Sequence, residues 1–239
     1  GRERRQRHDE IVTETVGQDG PGPNPVNPVW VSVLGVDPEG DFFESIVDEH
    51  IMQAIDDLPE EYEGAVGPVE IIGDGLPYLE TDVIEDDPAL GQPAPVIVGL
   101  DFEGNPVRID AAENGPTKVV AVAHWCPHCN DEIPVLNELR YENAFPAELE
   151  IVGVSTAPRS DGSNFPPDEW LVEKDWQWPV IADGVDTEAG TFLAAEALGV
   201  SGFPFVVLID EDGNVAARWS GGREGSEFLG AIETYLGLS

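Results

Sequence analysis

His124-Trp-Cys-Pro-His-Cys129 follows directly on Val119-Val-Ala-Val-Ala123 and leads into Asn130-Asp-Glu-Ile-Pro-Val-Leu-Asn-Glu-Leu139. The five apolar residues suit a strand covered on both faces. Pro127 suits a first helical turn, where its missing N–H costs nothing. Ile133, Leu136 and Leu139 recur at helical spacing, which predicts a helix from Pro127 to Asn143. The chain's two cysteines therefore sit where a buried strand feeds a helix. Only a thiolate attacks a disulfide, so such chemistry asks for a cysteine whose anion is stabilised. Cys126 would face the positive end of the helix dipole. His128, when protonated, would add a positive charge between the sulfurs. Cys129, one turn on, could resolve a mixed disulfide formed by an exposed Cys126 sulfur.

Other chemistries use two cysteines. As a structural bridge, C-x-x-C closes almost no loop and constrains the unfolded chain little. For a metal site His124 and His128 could join the cysteines, but the second ligand cluster of a closed zinc site is missing. A zinc deaminase needs H-x-E, and Trp125-Cys126 follows His124 instead. His124 reads better as structural, and Ser155 and Thr156 as strand-end caps. No metal and no cofactor beyond the cysteine pair is expected.

Outward from the motif, Val96–Leu100 and Val107–Ile109 flank Asp101-Phe-Glu-Gly104, a hairpin signal. Leu149–Val154 is a second apolar strand. After a polar loop at 156–168, a short helix is expected over Asp168–Asp175 and a short strand over Val180–Ala182. Asp186 predicts the cap of a helix from Thr187 to Leu198, closed by Gly199. Phe205–Ile209 and Val215–Trp219 flank Glu211-Asp-Gly-Asn214, a hairpin, and a helix runs over Ser226–Leu236. The order β-β-β-α-β-α-β-α-β-β-α implies an α/β domain, three layers around a mixed central sheet, over residues 89–239.

The N-terminal part differs. Residues 1–29 end in the Pro/Gly linker Gly20-Pro-Gly-Pro-Asn-Pro-Val-Asn-Pro28 and look disordered. Residues 30–88 form an acidic extension. A strand is expected over Trp30–Val36, and an amphipathic helix over 41–58, with Asp41 and Glu44 as a capping box. A further strand is expected at Val69–Ile72. The chain has 239 residues and a formal net charge of −37, and residues 8–90 hold 22 acidic residues but no Lys or Arg. Such a surface repels nucleic acid and anionic membranes. It reads as a solvated acidic face or as adaptation to high salt. GRERRQRHDE has no initiator Met and no apolar run after it, so it is not a complete signal peptide. A fragment, or a processed form that has lost an upstream membrane tether, fits this start.

Trp125-Cys-Pro-His-Cys129, then Glu132 and Pro134, resembles the W-C-x-x-C-x-x-E-x-P signature of the TlpA/ResA-like thiol–disulfide oxidoreductases of the thioredoxin superfamily. Ala89-Leu-Gly-Gln-Pro-Ala-Pro95 is similar to that family's lead-in. Gly202-Phe-Pro-Phe205 with Val206-Val-Leu-Ile-Asp210 resembles its cis-proline segment and closing hairpin. The resemblance covers about residues 89–239 and implies a thioredoxin-like fold. It implies that Pro204 is cis and beside the cysteines, that the Phe203 backbone pairs with a bound substrate chain, and that Glu132 assists proton transfer. Trp125 and Pro127 would line the substrate side. Each has a plainer alternative: a trans turn proline, a solvated helix carboxylate, a packing tryptophan. The Pro-His dipeptide is better known from strongly oxidising DsbA-like proteins. Their inserted helical domain does not fit the roughly 45 residues between Leu149 and Gly199.

The leading expectation is an extracytoplasmic oxidoreductase acting on protein or small-thiol disulfides, recharged by an unidentified redox partner. The alternatives are a thiol peroxidase on the same fold, a copper or zinc chaperone using the same cysteines, and an adaptor whose redox pair is vestigial.

Overall fold

Thr117–Val122 is buried along its whole length, because it has a strand on each side and a packed layer on each face. The computed structural model describes Tyr62, residues 64–81 and residues 83–239. The linker, the strand expected at Trp30–Val36 and the helix expected over 41–58 lie outside the described residues. In chain order the elements are β1 (Val69–Ile72), β2 (Val96–Leu100), β3 (Pro106–Ile109), α1 (Ala111–Asn114), β4 (Thr117–Val122), α2 (Pro127–Tyr141), β5 (Glu150–Ser155), α3 (Pro167–Glu173), β6 (Val180–Ala182), β7 (Val185–Asp186), β8 (Thr191–Phe192), α4 (Leu193–Ala197), β9 (Phe205–Ile209), β10 (Val215–Ser220) and α5 (Gly225–Leu236).

The central sheet has the order β10-β9-β4-β5-β6. β4, β5 and β6 run parallel, whereas β9 is antiparallel to β4 and to β10. It is the mixed sheet expected from the sequence. Alternate residues of β4 serve opposite faces. Val120 and Val122 pack with α2, α3 and α5. Val119 and Ala121 pack with α4 and with a small antiparallel sheet of order β1-β2-β3. The layers approach closely: a Cβ on Gly99 of β2 would lie 2.7 Å from Ile181 Cγ2 of β6.

The acidic stretch before residue 89 shares this core. Leu76, Leu79 and Ile84 are buried in it, and β1 pairs with β2. Arg218 of β10 is wholly buried, and its guanidinium donates to Asp87, to the Pro77 carbonyl and to the Leu198 carbonyl.

One helix differs from expectation. Asp186 Oδ1 does accept the Glu188 and Ala189 amides, each at 2.9 Å. Gly190, at φ +71°, then turns the chain back, so β7 and β8 pair as a hairpin. The helix starts only at Leu193. Its first amides, Ala194 and Ala195, donate to the carboxylate of Asp183, at 2.7 and 3.1 Å. A remote side chain thus does the capping that local spacing had assigned to Asp186.

Candidate active site

Cys126 is the residue before α2, in extended conformation, with Pro127 opening the helix. Its Sγ donates to the Phe203 carbonyl at 3.4 Å. The Phe203–Pro204 peptide bond is cis, and the contact of Cys126 with the Phe203 carbonyl puts Pro204 beside the first cysteine. The Pro204 carbonyl accepts the Gly221 amide at 2.8 Å, fixing this segment to the end of β10. Both cysteines are free thiols.

The expected exposure of the attacking sulfur is not found. Cys126 is 5% exposed and Cys129 not at all. The physical reason is packing over the motif. Trp125 and Phe203 lie against the cluster that contains both cysteines, and their rings meet edge to face at 5.8 Å. Trp125 Nε1 donates to the Ala157 carbonyl at 2.7 Å, and the Arg159 guanidinium stacks on the same ring at 3.9 Å. Trp125 is therefore both packed and placed as a cover. His128 and Pro127 are exposed on the first turn of α2.

Cys129, Glu132, Ile133 and Leu136 form the inward face of α2. Burial pushes the Cys129 thiol well above its usual range, and the neighbouring Cys126 and Glu132 push it further. Glu132 is 3% exposed, so it is not a solvated helix carboxylate. Burial pushes its carboxyl up, while Lys118 and Arg223 pull it back. It lies on the same inward face of α2 as Cys129, one turn on, and its charge raises the Cys129 thiol.

His124 is wholly buried and structural. Its Nδ1 lies 2.7 Å from the Ser163 carbonyl and its Nε2 accepts the Arg159 amide at 3.0 Å. Those partners assign the proton to Nδ1 and leave neither ring nitrogen for a metal. Among the described residues no group of three His, Cys, Asp or Glu side chains is arranged to hold an ion. Asn164 donates to the His124 carbonyl at 2.8 Å. Asn130 donates to the Cys126 carbonyl at 2.9 Å and accepts from Trp170 Nε1 at 3.0 Å. The polar loop over 156–166, expected only to connect, is thus what holds the motif from behind.

Three residues at this site escaped the sequence reading. Arg159 carries no local signal, because its partners lie about 35 residues away, and Asn130 shows its part only through Trp170, forty residues on. Lys118 does carry one: it precedes Val120 and Val122 at a strand's period of two, which places it on the same inward face. Next to Phe203 an open groove is lined by Tyr78, Phe192, Ala195, Val200, Ser201 and Gly202.

Comparison with known proteins agrees with this geometry. "Thiol-disulfide oxidoreductase ResA" of Bacillus anthracis is 24% identical over 144 residues, 60% of this chain and 77% of that protein. The ResA of Bacillus thuringiensis subsp. konkukian is 26% identical over 152 residues, 64% and 79% of the two chains. A DsbF homologue from Corynebacterium diphtheriae superposes with a TM-score of 0.50 at 17% identity, over 67% of this chain and 99% of that one, which shows the fold. The model of the AhpC/TSA family matches residues 90–225, more than half of the chain, so the chain belongs to this thioredoxin-fold family and is a thiol–disulfide oxidoreductase similar to ResA.

Proposed function

We propose that the chain exchanges disulfides with protein or small-thiol substrates through the Trp125-Cys-Pro-His-Cys129 motif. Cys126 attacks a substrate disulfide and Cys129 then attacks the mixed disulfide and releases the substrate thiol; run in reverse, the same steps oxidise a substrate dithiol. The observation that carries this reading is the asymmetry of the pair. Cys126 sits at the helix N-terminus against the Phe203 carbonyl, and Cys129 is sealed one turn below. Burial holds the second thiol protonated, so the first is the one placed to start the exchange. A substrate chain would lie along Phe203 and Pro204, with the groove beside Tyr78 and Phe192 taking a neighbouring side chain. Electrons pass through the two sulfurs alone, and no cofactor is needed. A thiol peroxidase would need its reactive cysteine in a different context, and the metal-chaperone reading loses His124 as a ligand.

The Pro-His dipeptide, with His128 exposed beside the cysteines, supports a relatively oxidising pair. The disulfide chemistry supports an extracytoplasmic setting, with an unidentified redox partner and a membrane tether upstream of residue 1. Among the described residues no helix is long and apolar enough to cross a membrane. Trapping tests the reading. A Cys129→Ala chain should accumulate mixed disulfides through Cys126, identifiable by mass spectrometry, and Cys126→Ala should accumulate none. Equal yields from both variants would refute it. A titrated potential as low as about −270 mV, the thioredoxin value, would refute the oxidising direction.

A further inference from the structure

Lys118 is wholly buried on β4, on the face that carries Val120 and Val122 towards α2. Its Nζ stands 3.7 Å from the centroid of the Phe228 ring and 5.6 Å from that of Phe145. It has no hydrogen-bond partner, and the Glu132 carboxylate has none from a side chain, with the Arg223 backbone amide nearby. Lys118 and Glu132, of opposite charge, are thus both buried where the β4 face towards α2 meets the inward face of α2 that also carries Cys129. Burying ionisable groups so poorly satisfied is unfavourable to folding. A methionine at 118 would fill the same space between the two rings at no such cost. An amine kept there against that cost points to a role for its charge.

The groups that can feel this charge are few. α2 presents Glu132 and Cys129, and the segment before α5 brings Arg223. From α5 and from the chain after α2 come Phe228 and Phe145, which do not titrate. Burial drives the Lys118 amine down, and Glu132 pulls it back up. Burial drives the Glu132 carboxyl up, and Lys118 is the first influence that pulls it back down. Each group thus partly offsets the effect of burial on the other.

We propose that Lys118 is a positioning residue for the resolving step: its charge, seated on the Phe228 ring, keeps the Glu132 carboxylate ionised and ready to take the Cys129 proton. This rests on the disulfide-exchange reading above. In that step the Cys129 sulfur attacks Cys126 of the mixed disulfide, and a Cys126–Cys129 bond forms. The bond from Cys126 to the substrate sulfur breaks, and that sulfur leaves as a thiolate. The Cys129 proton passes to Glu132. Over the full cycle the two enzyme thiols are oxidised and one substrate disulfide is reduced to two thiols.

The test follows resolution of a mixed disulfide with a synthetic peptide disulfide, by rapid mixing and acid quench, from pH 5 to 9. The full chain is compared with Lys118→Met, Glu132→Gln and the double variant. Without the amine, Glu132 holds its proton to higher pH. The rising limb in Lys118→Met should therefore move up by about one pH unit, about tenfold in rate on that limb. In the Glu132→Gln background the lysine substitution should move nothing further. A Lys118→Met profile that overlays the parent's, or one that shifts equally without Glu132, overturns the proposal and leaves disulfide exchange standing. A parent chain that exchanges nothing overturns the functional reading itself. Should Lys118→Met not fold, carboxyl carbon NMR of the parent decides: Glu132 should titrate in step with the Lys118 amine, and independent titrations would overturn the proposal.

Discussion

Arg218 and Asp87, 131 residues apart in sequence, meet as a two-pronged ion pair at 2.6 and 2.8 Å with both side chains wholly buried. The pair fastens the acidic stretch before residue 89 to β10, beneath the sheet that carries the cysteines. Its remaining donor, Nη1, serves the Pro77 and Leu198 carbonyls at 2.9 Å each.

Removing one partner strands the other charge in the core. Asp87→Ala should therefore cost about 3–5 kcal/mol in urea unfolding, whereas an apolar replacement of both residues should cost much less. Burial raises the Asp87 carboxyl, but Arg218 and the Ala89 amide outweigh it, so its folded value is lowered. The pair's stabilisation is then complete above the unfolded carboxyl's value, near 4. It is lost as pH falls below that value and through the folded one. Acid unfolding that begins at the same pH in Asp87→Ala as in the parent would contradict this.

The two cysteines should differ sharply towards alkylation. In the reduced chain iodoacetamide should modify Cys126 about a hundredfold faster than Cys129, whose thiol is sealed and held protonated. Trp125→Ala should speed the Cys126 reaction several-fold, because the ring packs against the cluster that contains that sulfur. Mass spectrometry of timed quenches reads both effects; equal labelling of the two would refute the asymmetry.

His124 should make the loop behind the motif sensitive to acid. Burial lowers its folded value, as does the Arg159 charge, against the Ser163 contact. The unfolded chain therefore binds the proton more readily. Stability should be full above about pH 6.5 and fall as pH drops below it, until the lower folded value is reached. A protonated Nε2 can no longer accept the Arg159 amide, so that amide should exchange with deuterium faster at pH 5 than at pH 7.5, after correction for intrinsic rates. Unchanged protection would refute the assignment.

Gly199→Ala should destabilise the chain by about 2 kcal/mol or more. Gly199 holds φ +68°, and a Cβ there would fall 2.2 Å from the Pro77 carbonyl oxygen and 2.6 Å from Arg218 Nη1. Thermal unfolding of the variant checks this; a melting point within a degree of the parent would refute the close packing.

Much of the site was legible because its chemistry is local. The apolar run into Trp125-Cys-Pro-His-Cys129 and the helix after it follow from periods of two and 3.6 and from the position of Pro127. The closing hairpin follows from Asp212-Gly213, and the resemblance placed Pro204 beside the pair. Local patterning failed where a distant group supplied what a near one could have. Asp183, not Asp186, takes the amides of α4. His124 and Asn130 are held by a loop about 35 residues on.

Sequence alone therefore determined the order of the elements and the chemistry at the strand-to-helix junction, since both rest on contacts within a few residues. Tertiary structure decided that Cys126 is covered and that Lys118 and Glu132 are both buried. It also decided that the chain from Ala65 to Asp87 belongs to the core. These depend on which faces meet once the sheet has formed, and a buried charge takes its value from partners that only the closed fold brings near.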